Sequence, residues 1–440
     1  MERKIKRSLS ISWKEGIPSS MMLGVLDHYL VPYGLFLGAG NRVVAVLSAL
    51  PHLAASMAQP WAVEVVRRAG SRLRFVVATA AAQAAALLPM AALALADFPG
   101  RLAALVALAV AFRVLNNLCG TAWSSLMSEY LPPQRRGAYF GWRSRIAGLA
   151  GLAGTALGGL LLAGMKPVSL AWGFFALFAA AALLRFLSAG MLARMTELPL
   201  RATPESDFTF LMFLRRVRES NFVRFVLFVA SALFTTHLAA PYFSVYMLRD
   251  LRLGYATYMV IHLAAAVGSL AAFPIWGRNA DVVGNARILK TTGWLIPVIP
   301  LLWLVSRDPA YLVLVELFAG FVWGGFNLCA TNFIYDAVTP EKRVRCLGYF
   351  NLISGTAIFA GAMIGGFLAD RLPPLFGLPL MSLFLLSGMM RFVAMRWPWG
   401  RFKEVREGTR HVSSARLFFS VVGIRPLLGE DREPVFPVFK

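Results

Sequence analysis

The pentapeptide Asn117-Leu118-Cys119-Gly120-Thr121 returns 210 residues later as Asn327-Leu328-Cys329-Ala330-Thr331. A match at about half the length of the 440-residue chain indicates two copies of one structural unit. Further pairs follow at an offset of 207 residues: Glu129–Asp336, Pro133–Pro340, Gly141–Gly348, Gly154–Gly361, Gly158–Gly365 and Gly159–Gly366. The sequence therefore predicts an internal duplication.

The amino-terminal parts of the two copies also match, but in two ways. The histidines His28 and His52 return as His237 and His262, at offsets of 209 and 210 residues. In contrast, Gly70 returns as Gly284 at an offset of 214. Either about one helical turn is inserted in the second copy, or the histidine match is chance.

The composition is that of a membrane protein, with 58% hydrophobic and 15% charged residues and a mean hydropathy of +0.64. Stretches long enough to cross a bilayer number twelve, and we call them spans 1 to 12. They lie near residues 19–39, 42–66, 73–97, 102–126, 140–164, 168–190, 221–248, 255–277, 288–306, 310–335, 346–370 and 375–396. We expect an all-α integral membrane protein with two pseudo-symmetric six-helix bundles, related by an axis along the membrane normal.

Charge predicts the orientation of the chain in the membrane. Lys and Arg total 44 against 22 acidic residues, and only seven of the 44 lie in the connections from odd to even spans. The positive-inside bias therefore places both termini in the cytoplasm of a cell that uses this chain in its inner membrane. The partner of the basic surface is the lipid bilayer rather than nucleic acid, and the three cysteines have no spacing that predicts a disulfide or a metal site.

The predicted organisation has five parts. A cytoplasmic leader at 1–18 precedes the first bundle at 19–190, a cytoplasmic linker at 191–220 precedes the second bundle at 221–396, and a cytoplasmic tail follows at 397–440. Within the linker, residues 208–218 fit either a short interfacial helix or a solvated connection.

Twelve spans in two parallel halves with a basic linker resemble the major facilitator superfamily, in its prokaryotic permease type, from residue 19 to about 396. The most specific similarity is Gly277-x-x-x-Asp281-x-x-Gly284-x-x-Arg287 after span 8, with Val282 where an Arg is usual. The first copy keeps only Gly70 and Arg72. The resemblance implies a transporter whose substrate path lies between the halves, lined by spans 1, 4, 7 and 10, with this loop at a cytoplasmic gate.

Few polar side chains lie on those four spans. The candidates for the substrate and proton pathway are Asp27, His28, Arg113, Asn116, Asn117, His237 and Asn327. A charge in hydrocarbon needs a partner or water, and Asp27 and Arg113 can serve each other. Such a pair either couples transport to protons, because protonating Asp27 frees Arg113, or is a permanent ion pair that fixes spans 1 and 4.

Four histidines lie inside spans, and each has two interpretations. An imidazole can relay protons or bind substrate, or it can remain neutral and bond across a helix interface. For His28 and His237 both interpretations stand, whereas for His52 and His262 packing is favoured. The histidines have no Glu or Cys at ligand spacing, so no metal site is expected.

Gating and packing residues complete the predicted site. The gate is expected at Gly277, Asp281, Gly284, Arg287 and Arg343, with Asp281 pairing Arg343 or Arg345. Glycine rows on spans 5 and 11 predict close helix packing at Gly154, Gly158, Gly159, Gly361, Gly365 and Gly366. The first row also resembles an antiporter motif, without its second Gly and its Pro.

The leading hypothesis is a monomeric secondary transporter that moves a small solute by rocking its halves, coupled to protons, with a slight preference for efflux. That preference depends on aromatic residues expected near the cavity, namely Tyr33, Phe36, Phe234, Tyr242 and Phe243. The alternatives are an importer of a polar nutrient and a non-transporting sensor or assembly protein on the same scaffold. No cofactor is expected, and an enzyme is disfavoured because no catalytic constellation is present.

Overall fold

The computed structural model describes residues 2–131, 133–197, 220–338, 340–396 and 402–405. Side chains are described for all of these except residues 2, 60, 62, 63, 67, 128, 133–138 and 340–345. The helices are α1 Glu2–Phe36, α2 Asn41–Arg68, α3 Arg72–Ala92, α4 Arg101–Tyr130, α5 Pro133–Met165, α6 Leu170–Leu192, α7 Asn221–His237, α8 Ala240–Val245, α9 Tyr255–Val283, α10 Asn285–Leu295, α11 Val298–Leu302, α12 Pro309–Ala337, α13 Pro340–Ala369 and α14 Pro379–Arg396.

These helices account for all twelve spans. Spans 1 to 6 are α1 to α6; α7, α8 and a π-helical turn at Tyr246–Asp250 form span 7; α9 is span 8; α10 and α11 form span 9; and α12, α13 and α14 are spans 10, 11 and 12. Within the described ranges, nine are long and apolar enough by themselves to cross a membrane. The other three are spans 1 and 2, which carry more polar side chains, and span 9, which is divided in two.

The chain forms two bundles that meet along two helix pairs. Span 2 packs along span 11, and span 5 packs along span 8, so each half contributes to both seams. We call the end of the molecule that carries Glu2 and residues 402–405 the inner end, and the opposite end the outer end.

Glycines allow the closest approaches within each half. A Cβ added to Gly154 on span 5 would lie 2.2 Å from the carbonyl oxygen of Met21 on span 1. A Cβ added to Gly361 on span 11 would lie 2.2 Å from the carbonyl oxygen of Phe234 on span 7. Backbone therefore contacts backbone at twofold-related places, which only residues without a side chain permit.

Tyrosine hydrogen bonds fix the register of the duplication. The Tyr29 hydroxyl donates to the carbonyl oxygen of Thr155 at 2.7 Å, and the Tyr242 hydroxyl donates to that of Ala362 at 3.0 Å. The acceptors differ by 207 residues, as the sequence match predicts, but the tyrosines differ by 213. Spans 1 and 7 are thus equivalent at an offset of 213 residues, not 209.

Two further contacts support this register. The Tyr33 ring lies 4.8 Å from that of Phe178, and the Tyr246 ring lies 5.4 Å from that of Phe384. Gly70 and Gly284, 214 residues apart, both have positive φ, at 70° and 88°. The histidine alignment is therefore wrong by about one turn: His28 and His52 are not the twofold counterparts of His237 and His262.

Most of the linker and tail predictions lie outside the described residues, including the interfacial helix at 208–218. The short described part of the tail is packed against the second half. Phe402 is fully buried, with its ring 5.7 Å from that of Phe225 and 5.2 Å from that of Phe333. Residues 402–405 are thus part of the inner end of the second bundle.

Candidate functional site

An ion pair lies near the middle of spans 1 and 4. Arg113 Nη2 donates to Asp27 Oδ1 at 2.6 Å, and the two side chains are 19% and 47% exposed. A carboxylate in a membrane span that is half exposed faces a water-accessible space rather than the packed interior of the bundle. The pairing expected from the sequence is therefore present, and its acid is accessible.

Histidines from both halves surround this pair. The rings of His28 on span 1 and His262 on span 8 lie 5.4 Å apart, and the Tyr258 hydroxyl donates to the His28 carbonyl oxygen at 2.9 Å. His52 on span 2 is exposed and lies within electrostatic range of Asp27, Arg113 and His237. His52 and His262 thus lie at the centre of the molecule, although sequence reasoning favoured a packing role for both.

The asparagines occupy related positions on spans 4 and 10. Thr121 donates to the Asn117 carbonyl oxygen at 3.0 Å, and Thr331 donates to the Asn327 carbonyl oxygen at 2.9 Å. These equal bonds support the offset of 210 residues between the two spans. Asn327 is exposed, whereas the Asn117 side-chain oxygen is buried with no hydrogen-bond partner among the described residues. Asn116 is partly exposed on the same turn.

A cleft of about 670 Å³ lies between spans 7 and 11, toward the inner end from His237. Its walls are mostly apolar, including Phe234 and Ile353, and its polar groups are Ser231 and Thr356. His237 itself bonds back to its own helix, with Nδ1 2.9 Å from the Leu233 carbonyl oxygen. The cleft has a volume typical of sites for small molecules.

At the inner end, each half ties its loop between the second and third spans to an acid on its fourth span. Arg72 Nη1 lies 4.0 Å from Glu129 Oε1 in the first half. In the second half, Asn285 Nδ2 donates to Asp336 Oδ2 at 2.8 Å. Glu129 and Asp336 are the pair found at offset 207, so the repeat in sequence is a repeat in contact.

A second pair of acids at that offset was missed. Glu197 accepts from the backbone N–H groups of Arg72 and Leu73, at 3.1 and 2.8 Å, and so caps span 3. Glu404 accepts from the N–H of Ala286 at 2.7 Å and caps span 9 in the same way. A carboxylate is favourable at a helix N-terminus. The spacing of 207 residues between the two acids was the available signal.

The predicted gate residues are described in part. Gly277 has Leu328 Cδ2 3.9 Å from its would-be Cβ, and Gly284 has a positive φ that favours glycine. Asp281 is exposed, Arg287 is partly buried, and the Arg343 side chain lies outside the described residues. Pairing of Asp281 with Arg343 therefore stays a prediction.

Polar contacts join the two halves at the outer end. Asp370, after span 11, accepts from Asn41 Nδ2 at 2.9 Å and lies 3.3 Å from Arg42 Nε. Arg249 Nη1 donates to Asn41 Oδ1 at 3.0 Å. We call Asn41, Arg42, Arg249 and Asp370 the outer clamp. Sequence reasoning counted its two arginines only as topology.

Asp370→Asn is expected to loosen the outer clamp, because the variant loses the ion pair with Arg42. Exposed pairs of this kind contribute up to about 1 kcal/mol, which corresponds to a shift of about two- to fivefold in an opening equilibrium. The measurement is labelling of an Ala45→Cys reporter, at the buried contact of span 2 with span 11, by a membrane-impermeant thiol reagent. Asp97→Asn, in the exposed pair with Arg101, is the control. Equal labelling of both variants would contradict a clamp.

The aromatic residues that suggested efflux mostly lie within the halves. Tyr33 and Tyr242 are fully buried and donate to backbone carbonyls. Phe243 stacks 4.4 Å from Phe384, and the Phe36 ring lies 5.0 Å from that of Phe174. Of the five, Phe234 lines the cleft. The expectation that all of them line the cavity is wrong, because tyrosine and phenylalanine bury large areas and pack between helices.

Sequence reasoning also missed charged residues on spans 6, 10 and 12. Arg185 on span 6 bonds Gln83, Ser19 and Ser188, and Ser188 bonds Glu15, itself paired with Arg143. Arg391 on span 12 is 1% exposed and bonds Ser387 and two backbone carbonyls. Glu316 on span 10 lies within electrostatic range of Tyr258.

Comparison with known proteins agrees with this fold. Residues 225–429 match the sequence model of the Major Facilitator Superfamily. No curated protein matches the chain in sequence. Among solved structures, a D-xylose–proton symporter superimposes with a TM-score of 0.68 at 13% identity, over 92% of this chain and 100% of the other.

Two other transporters have the same fold. The nucleoside transporter NupG gives a TM-score of 0.64 at 13% identity, over 88% of this chain and 97% of the other. A bacterial homologue of the iron transporter ferroportin, in an inward-facing state, gives 0.64 at 14% identity, over 90% and 99%. By its fold across both halves and the sequence of its second half, this chain belongs to the Major Facilitator Superfamily, a family of membrane transporters rather than enzymes.

Proposed function

We propose that the protein is a secondary active transporter that moves a small solute across the inner membrane, coupled to protons at Asp27. The observation that carries the proposal is the accessible ion pair of Asp27 with Arg113, which joins spans 1 and 4 at mid-membrane. A carboxylate can bind and release a proton there, and each event changes the charge next to the guanidinium.

The mechanism proposed is alternating access by rocking of the two halves, with both termini in the cytoplasm. Contacts between the halves support an inner-open arrangement. At the outer end the halves are joined by the outer clamp and by Tyr258 with His28. Toward the inner end, Thr331 and Tyr335 of span 10 are exposed on successive turns.

Polar side chains exposed in a repeating pattern along a membrane span indicate water rather than lipid. Asn327, Thr331 and Tyr335 form such a row, spaced four residues apart. This row supports a water-filled path from the central site to the inner end. The histidines His28 and His237 are proposed as neighbours of that path, together with His52 and His262.

The direction of transport follows from the coupling rather than from the aromatics. Because most of those aromatics are packed inside the halves, they give no support for efflux of amphipathic compounds. Proton entry down its gradient would carry a co-transported solute inward and an exchanged solute outward.

The experiment uses purified protein in liposomes with an imposed pH gradient, screened with radiolabelled small solutes. The proposal predicts accumulation of at least one solute class in response to the gradient and its collapse by a protonophore. Flux that ignores the gradient would remove proton coupling, and the absence of flux for every solute class would favour a sensor on the transporter scaffold.

Asp281→Asn tests the proposed inner gate. If Asp281 helps to close the inner end through Arg343, the variant should favour the inner-open arrangement. Labelling of a Thr331→Cys reporter from the inner side should then rise about two- to fivefold, the effect of one exposed ion pair. Unaltered labelling, equal to that of the Asp97→Asn control, would count against this role.

A further inference from the structure

The ion pair at the centre uses only part of its bonding capacity. Arg113 contacts Asp27 through one bond, from Nη2 to Oδ1. The other guanidinium N–H groups and Asp27 Oδ2 contact no described protein group. Since a guanidinium binds a carboxylate through two parallel N–H groups, Arg113 keeps donors for a second carboxylate without leaving its position.

Amide groups lie one helical turn from these donors. Asn116 and Asn117 follow Arg113 at three and four residues, which places them on the same side of span 4. The buried Asn117 side-chain oxygen, with no partner in the described part of the chain, is a polar group available for a solute. The guanidinium and the amides therefore form one polar surface.

Charge decides which solute this surface favours. With Asp27 ionised, its charge and that of Arg113 cancel. When a proton neutralises Asp27, the guanidinium is left without a counter-ion in a membrane span, which is unfavourable. An anion that binds next to Arg113 restores the balance. Proton and anion therefore favour each other's binding, and by linkage the effect is reciprocal.

A second positive charge acts in the same direction. Arg391 is fully buried, and its bonds go to Ser387 and to the carbonyl oxygens of Thr236 and Ile296. It has no acidic partner among the described residues and lies within electrostatic range of His237. Because it is buried, Arg391 cannot contact a solute, but its field makes the centre more favourable for an anion.

We propose that the transported solute is a small organic anion with one carboxylate, bound by Arg113 when Asp27 is protonated, and that one proton moves with each anion. This inference rests on the proposed function. It makes the loaded site neutral, as the empty ion pair is, and it makes the protein a symporter.

Other solute classes fit the site less well. An organic cation would add a second positive charge beside Arg113 with one carboxylate to share, and the two cations would repel. A neutral solute would leave Arg113 unpaired whenever Asp27 is protonated. A dianion such as phosphate would bring more charge than one guanidinium balances.

The test is binding to purified protein in detergent, measured by thermal stabilisation with lactate and benzoate. The matched neutral probes are lactamide and benzamide, and the cationic probe is benzylamine. At about pH 6, where both acids remain ionised, only the carboxylates should stabilise the protein. Their apparent affinity should fall at least tenfold at about pH 8, because Asp27 is then ionised.

Variants separate binding from folding. Arg113→Gln should weaken carboxylate binding by roughly 10- to 100-fold, the effect of losing a charge-assisted bond, and Arg113→Lys should restore part of it. Asp27→Asn should bind carboxylates equally at both pH values. Arg101→Gln, whose pair with Asp97 lies at the outer end of span 4, is the matched control and should bind as the natural protein does. Unfolding midpoints without probe show that each variant folds.

Three outcomes would overturn the inference: preferential stabilisation by benzylamine or an amide, undiminished carboxylate binding by Arg113→Gln, or no stabilisation by either carboxylate. Its failure is distinguishable from failure of the proposed function. A neutral solute accumulated by a pH gradient would refute the anion and leave proton-coupled transport standing. Carboxylate binding that depends on Arg113, without flux in liposomes, would refute transport.

Discussion

Asp27→Asn is expected to abolish accumulation of solute against its gradient while exchange of solute across the membrane continues. The amide has nearly the shape of the carboxylate and can accept the bond from Arg113, but it cannot bind and release a proton. Coupling to the pH gradient is therefore lost completely, whereas the site and the moving halves remain.

The measurements are gradient-driven uptake and counterflow in the same liposomes. Asp97→Asn makes the same chemical change in an ion pair of 2.9 Å that involves a 92% exposed acid, and it should behave as the natural protein. Asp27→Glu should retain part of the uphill transport. Uphill transport by Asp27→Asn at the natural rate would refute the assignment of the proton to this residue.

Gly154→Leu is expected to prevent correct packing of the first half. A Cβ at this position would lie 2.2 Å from the Met21 carbonyl oxygen and 2.8 Å from its Cα, and backbone atoms cannot rotate away as a side chain can. Overpacked side chains cost about 1–3 kcal/mol, and we expect about 3 kcal/mol or more here because spans 1 and 5 must separate.

The matched control is Gly148→Leu on the same helix, where an added Cβ meets nothing within 4 Å. Both variants gain the same helix propensity over glycine, so the difference between their thermal unfolding midpoints isolates the contact. Gly361→Leu repeats the test in the second half. Equal midpoints for Gly154→Leu and Gly148→Leu would show that the close approach of spans 1 and 5 is not required.

The sequence was sufficient for the architecture because membrane spans are specified by length and hydropathy, and duplicated halves preserve contacts. Glu129 and Asp336 show this most directly, since each binds the loop of its own half. The register of spans 1 and 7 was misassigned because histidines were used to align them. Tyr29 and Tyr242 were the informative residues, as their hydroxyls bind neighbouring backbone and are fixed by packing.

The central ion pair was predictable because a charge within a span requires a partner, and spans 1 and 4 offered few. The proximity of His28 to His262 was not, since it depends on how closely span 8 of one half approaches span 1 of the other. The outer clamp was missed for a related reason. Arg42 and Asp370 are 328 residues apart in sequence, and no local pattern links them.

The most direct test of the account is proton movement driven by solute alone. Liposomes that contain the protein and a trapped pH indicator receive, without any imposed pH gradient, a solute that the protein accumulates. We predict that inward movement of the solute acidifies the lumen with the natural protein and does not with Asp27→Asn. Solute entry with no change of luminal pH in the natural protein would contradict the account.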